Sequence, residues 1–124
     1  MKKILIVDDE AGIVDEVKAY FEEEGFRVEA ADSGKEGLRI LKRMRPDLLI
    51  LDIKLPDLNG LELLKAVKES FPQTKVIVIT GYVDQNLIDA AERLGRDCFL
   101  QKPFDLPRLF QEVSRLLPDL PPAA

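Results

Sequence analysis

The chain's 124 residues, 46% of them hydrophobic, suffice for one domain that buries about two thirds of its unfolded surface without staples, and they leave no room for a second. The 18 basic and 23 acidic residues give a net charge of -5, a field that opposes phosphate backbones and anionic lipid and disfavours direct nucleic-acid binding. With no histidine and a single cysteine, Cys98, the chain lacks the means for Ser-His or Cys-His catalysis, histidine-ligated zinc, multi-cysteine metal sites and an internal disulfide.

In chain order, residues 3–7 form the first apolar run. Ile4 to Val7 give way at once to Asp8-Asp9-Glu10, too short a stretch for a signal peptide or a membrane span, so a cytoplasmic protein with no membrane partner is expected. Ile13, Val14, Val17, Tyr20 and Phe21 then share one helical face, and Gly25 follows where a left-handed C-cap would sit. Residues 26–30 predict a weaker strand, interrupted by Arg27 and Glu29 and easiest to place at a sheet edge. Leu38 and Leu41 mark the second helix, residues 47–51 the next strand, and Leu61, Leu64 and Val67 the third helix. Residues 75–79 predict another strand; Leu87, Ile88, Ala91 and Leu94 give the fourth helix, with Gly95 after it. Cys98 falls in the last strand, residues 97–101, beside Phe99 and Leu100, and reads as a small core hydrophobe rather than a reactive thiol. Asp105 and Pro107 open a final helix whose apolar face is Leu106, Leu109, Phe110, Val113, Leu116 and Leu117. Residues 1–118 are expected to form the domain, and residues 119–124, with Pro121 and Pro122, a Pro-rich tail or linker stub.

Near-continuous apolar strands alternating with amphipathic helices predict an α/β fold. The (βα)5 pattern implies a doubly wound, parallel five-stranded sheet of order 2-1-3-4-5, the flavodoxin-like arrangement. Ligands of such sheets bind beyond the carboxyl ends of the strands. Those positions hold Asp8 and Asp9 after the first strand, Asp52 after the third, Thr80 after the fourth and Lys102 after the fifth. Each alone has an ordinary reading, as a helix cap, a turn residue or a solvated lysine. Their convergence on one edge is harder to explain that way. Carboxylates held together repel unless a proton or cation compensates them, and a hard, oxygen-preferring ion with water in its remaining positions suggests magnesium rather than enclosed calcium.

The segments Ile4-Leu5-Ile6-Val7-Asp8-Asp9-Glu10, Asp47 to Pro56, Asn59-Gly60, Thr80 and Lys102-Pro103-Phe104 resemble the response regulator receiver family, the CheY-like superfamily, over about residues 2–117. The resemblance implies a phosphoacceptor at Asp52, with magnesium bound directly by Asp9 and Asp52, by Asp8 often through water, and by the backbone carbonyl of Lys54. It also implies a phosphoryl-sensing hydroxyl at Thr80, a phosphate-pairing ammonium at Lys102, and a switching aromatic at Phe99 on a readout surface made of the fourth helix, fifth strand and fifth helix. Pro56 and Gly60 would shape the loop after Asp52, and the Lys102-Pro103 bond is a candidate cis peptide that would aim the ammonium.

On this reading the protein is a phosphorelay component and regulatory phosphoacceptor that catalyses only its own phosphorylation and dephosphorylation. A carboxylate oxygen of Asp52 attacks phosphorus, and charge neutralisation by magnesium and Lys102 carries the catalysis. The implied partners are a sensor histidine kinase or histidine phosphotransfer domain as donor and a downstream protein or fused output domain as target, with the chain a monomer or weak homodimer. Lys54, two residues after Asp52, and Tyr82, two after Thr80, resemble the stand-alone sporulation phosphorelay receiver and are expected to shield the aspartyl phosphate from water. Three rivals compete: a phosphatase of the haloacid dehalogenase class, which needs alternating rather than adjacent aspartates after the first strand; a flavin module, which needs a Ser/Thr/Gly-rich loop there; and an interaction domain that has lost phosphorylation.

Overall fold

Five strands alternate with five helices in the computed structural model, which describes residues 1–81 and 84–118. Tyr82 and the predicted tail 119–124 lie outside the described residues. The strands are β1 (Lys3–Val7), β2 (Arg27–Ala31), β3 (Leu48–Asp52), β4 (Lys75–Thr80) and β5 (Cys98–Gln101). The helices are α1 (Ala11–Glu23), α2 (Gly34–Met44), α3 (Gly60–Ser70), α4 (Gln85–Arg93) and α5 (Leu106–Leu116). Every strand pair is parallel and the order is β2-β1-β3-β4-β5, so the interrupted strand does stand at an edge.

Alternation along the strands divides the interior in two. Ile4, Ile6, Leu48, Ile50, Ile77, Ile79, Cys98 and Leu100 face a core completed by α1 and α5, where Phe21 is fully buried among Tyr20, Phe26 and Phe110. The rings of Phe21 and Phe26 meet edge-on at 5.4 Å, a geometry the aromatic quadrupole favours. Leu5, Val7, Leu49, Leu51, Val76 and Val78 face the other way, onto α2, α3 and α4. Cys98 is buried, and burial pushes its thiol pKa up, with the Glu112 carboxylate adding to the effect. Those conditions suit a core residue rather than a nucleophile.

The turns follow their chemistry. Gly25 and Gly95 lie at φ 95° and 92°, in the left-handed region that glycine enters without steric cost. The third strand starts one residue later than predicted because Asp47 forms the corner before it. Its amide donates to Lys3 O (2.9 Å), its carbonyl accepts from Lys75 N (3.0 Å), and its Oδ2 accepts from Lys3 N (2.8 Å). Asp97 has a similar task before β5: its Oδ2 accepts from Val76 N at 2.8 Å and from Lys68 Nζ at 2.9 Å. Periodicity alone does not foresee that Arg45, at φ 49°, ends α2, with its guanidinium over the Phe71 ring at 5.8 Å. No helix among the described residues is long and apolar enough to cross a membrane.

Candidate functional site

The parallel order sends every strand's carboxyl end to the same side of the sheet, and the polar side chains found there are the predicted ones. Asp52 and Thr80 are the last residues of β3 and β4, whereas Asp8 and Lys102 directly follow β1 and β5. Asp8, Asp52 and Thr80 are the only charged or polar residues besides Thr74 that are buried among the described residues, at 0%, 4% and 3% exposure. A cleft of about 470 Å³ opens over them, lined by Asp9, Glu10, Asp52, Lys54, Leu55, Pro56, Thr80, Gly81 and Lys102.

Lys102 holds this site together. Its Nζ donates to Glu10 Oε1 at 2.6 Å and to Asp52 Oδ2 at 3.0 Å, and it stands 2.9 Å from Asp8 Oδ2. That last contact is ionic only, because Asp8 Oδ2 is buried without an aligned hydrogen-bond donor. Burial works against the ammonium, but Glu10, Asp8 and Asp52 outweigh it; the Lys102 pKa is raised and the side chain remains protonated. Asp52 is raised too. Burial is the main cause and Asp8 adds to it, against the Lys54 amide and Lys102, which favour the anion. The Lys54 amide donates to Asp52 Oδ1 at 3.0 Å and so aims the other oxygen into the cleft. A carboxylate in such surroundings is more basic than an ordinary one and hence a better nucleophile once ionised.

The carboxylates that converge are not quite the expected set. One oxygen each from Asp8, Glu10 and Asp52 lie within 4.8 Å of one another, which fits a hard cation in donor chemistry and spacing; Asp8 Oδ2, buried and met by the Lys102 ammonium at 2.9 Å, accepts no aligned hydrogen bond. Asp9 is exposed and borders the same cleft without joining that group. Glu10 was not foreseen as a member. It occupies the N-cap position of α1, yet its side chain caps nothing in the helix and reaches instead to Lys102. Asp8 Oδ1 accepts from Glu10 N at 2.9 Å and orients that residue. The available signal was an acidic side chain one residue beyond the aspartate pair, with an arm long enough to turn back over it.

The loop after Asp52 is shaped by the residues assigned to it. A Cβ at Gly60 would lie 2.6 Å from Asp52 O and 2.7 Å from Ile53 Cα, so only glycine lets α3 start this close to the strand. Lys54 and Asn59 form an isolated antiparallel bridge across the loop, and Pro56 is exposed at the cleft rim. The Lys102-Pro103 peptide is cis. Phe99 is partly buried against the α2–α3–α4 side of the core.

Residues 4–114 match the model of the response regulator receiver domain. Sporulation initiation phosphotransferase F of Bacillus subtilis (strain 168) is 37% identical over 117 residues, 94% of each chain. The transcriptional regulatory protein CrdR of Helicobacter pylori is 38% identical over 121 residues, which are 97% of this chain but 57% of that protein. Among solved structures, a CheY-like response regulator receiver domain protein of Methanospirillum hungatei JF-1 superposes with a TM-score of 0.93 at 35% identity, covering 96% of this chain and 95% of that one. The chemotaxis protein CheY4 of Vibrio cholerae gives 0.86 at 29% identity over 94% of this chain and 99% of that one. With its sheet order, its buried acidic edge and a family match over nearly its whole length, this chain belongs to the response regulator receiver domain family.

Proposed function

We propose that Asp52 takes a phosphoryl group from a phosphohistidine on a partner kinase or phosphotransfer protein, in a reaction that needs Mg2+. The supporting observation is the contact of Lys102 Nζ with Asp52 at 3.0 Å beside two further carboxylates, one with an undonated buried oxygen. Asp8, Asp52 and Glu10 would hold the cation, with Asp9 and the Lys54 carbonyl at the rim. Once bound, the cation supplies charge neutralisation at the phosphoryl oxygens.

The chain's own groups perform the transfer. An Asp52 oxygen forms the new O–P bond as the P–N bond to the donor imidazole breaks, and the imidazole leaves with the electron pair and takes up a proton. Lys102 pairs with the transferred oxygens, and the Thr80 hydroxyl, at the end of the neighbouring strand, is drawn toward them. That movement would pass to Phe99, which is partly buried against the α2–α3–α4 side of the core, and change the α4–β5–α5 surface presented to a downstream protein or fused output domain. Lys54 lies exposed at the rim, where its side chain would obstruct an attacking water; Tyr82, assigned the same role, is outside the described residues. Residues 1–118 would form the receiver domain and residues 119–124 its tail or linker.

Incubation with Mg2+ and acetyl phosphate, followed by intact-mass measurement, should add one phosphoryl group to wild type and none to Asp52→Ala. Labelling of the variant to the same extent would refute the assignment. In the phosphorylated protein, Lys54→Asn should accelerate loss of the group; an unchanged lifetime would remove Lys54 from that role.

A further inference from the structure

The loop that frames the cleft is tied at its far end to another helix. Asp57, three residues beyond Lys54, is exposed, and both its oxygens are engaged: Oδ1 accepts from Gly34 N at 2.7 Å and Oδ2 from Lys35 N at 2.9 Å. These are the first two residues of α2, more than twenty positions away in sequence. A carboxylate across two unsatisfied amides at a helix N-terminus gains from both hydrogen bonding and the helix dipole. Ser33 supplies the helix's own cap by accepting from Glu36 N at 3.2 Å, and Asp57 takes the two amides that this cap leaves open. Beside this bridge the Leu58 side chain fills the space over Gly34, where a Cβ would come within 2.4 Å of it. The other end of the same loop is pinned by the Lys54–Asn59 bridge and by Gly60 N donating to Ile53 O at 2.7 Å. Lys54, Leu55 and Pro56, which line the cleft, are therefore held between two anchors.

We infer that Asp57 is a positioning residue for the cation and phosphoryl cleft: by clamping the β3–α3 loop to the N-terminus of α2 it fixes the backbone of Lys54 to Pro56 at the rim. This rests on the reading of the cleft given above. Such a clamp couples two sites, and coupling is reciprocal: if α2 steadies the cation site, an occupied cation site steadies the start of α2.

The test is a Mg2+ titration of the full chain followed by backbone amide NMR, with hydrogen exchange at Gly34 and Lys35 with and without Mg2+. Asp57→Ala should weaken Mg2+ binding by roughly fivefold or more, the range expected of a site-to-site coupling. Asp57→Asn, which keeps one acceptor oxygen, should fall between. In wild type, saturating Mg2+ should slow exchange of the Gly34 and Lys35 amides. Ser33→Ala removes a cap from the same helix without touching the loop and should lower stability while leaving the Mg2+ Kd where wild type has it. An unchanged Kd in Asp57→Ala overturns the inference, as does an equal weakening in Ser33→Ala, which would reduce the clamp to general stability. Saturable Mg2+ binding in wild type that is lost in Asp52→Asn upholds the underlying reading of the cleft, and its absence overturns that reading and the inference together.

Discussion

Replacing Lys102 by Met keeps much of the side chain's bulk and removes the charge that holds three carboxylates together. The Lys102 side chain is 9% exposed, and its ammonium pairs at 2.9 and 3.0 Å with Asp8 and Asp52, whose side chains are 0% and 6% exposed. Its third partner, Glu10, is 58% exposed, so water replaces the lysine there at little cost. Stripping one member from a buried pair costs about 3–5 kcal/mol. An upper limit comes from the escape open to an orphaned anion, since a carboxylate of ordinary acidity can take a proton at pH 7 for roughly 4 kcal/mol. We therefore expect Lys102→Met to lose about 3–4 kcal/mol in urea unfolding at pH 7 without divalent cation. Added Mg2+ has no ammonium to compete with in the variant and should stabilise it more than it stabilises wild type, the variant's own increment being about 2.7 kcal/mol at a hundredfold excess over its Kd. Wild-type stability of the variant in EDTA, or equal Mg2+ increments in the two proteins, would refute the reasoning.

Other perturbations probe the scaffold. Gly60→Ala sets a methyl against backbone atoms at 2.6–2.8 Å that no rotamer change can move, so unfolding should show a loss of about 2–3 kcal/mol despite alanine's better helix propensity. Asp97→Ala deprives the buried Val76 amide of its acceptor and should cost about 1–3 kcal/mol in urea, whereas Asp97→Asn, which keeps an oxygen, should retain most of it. Asp57 also carries a pH signature. The Lys35 and Gly34 amides hold its carboxyl below the ordinary 3.8, so its contribution is complete above that value and fades as pH falls through the lower folded-state value. Acid titration of stability should therefore be shallower for Asp57→Asn than for wild type below that value, and parallel curves would show that the carboxylate charge has no part in the bridge.

The fold was legible because its strands are buried on both faces and therefore read as apolar runs, while its helices carry one apolar face each. Even the edge strand could be placed: Arg27 and Glu29 tolerate a position where one side meets solvent, and the Arg27 guanidinium indeed lies 3.3 Å from Glu29. Boundaries were less legible where a side chain substitutes for a ladder partner. Asp47 looks like the start of β3 but forms its corner, and Asp97 does the same for β5. The clamp at Asp57 left no trace in periodicity, because its partners are backbone amides that any residue except proline would offer.

At the site, strand-end position was enough to find Asp8, Asp52, Thr80 and Lys102, since topology alone carries them to one edge. Which carboxylates would share the lysine depends on side-chain reach. An ammonium has three donors and here meets three anions, and Glu10 joins Asp8 and Asp52 by folding back from the head of α1 while Asp9 faces solvent. One positive charge among three carboxylates leaves two negative charges uncompensated, with Asp8 and Asp52 buried and weakly screened and only Glu10 exposed to water. A phosphoryl group that approaches as a dianion is repelled by that residue of charge, and a divalent cation cancels it. On the proposed reading, uptake of phosphoryl by Asp52 depends on the cation for reasons of charge balance alone, before any question of orientation arises.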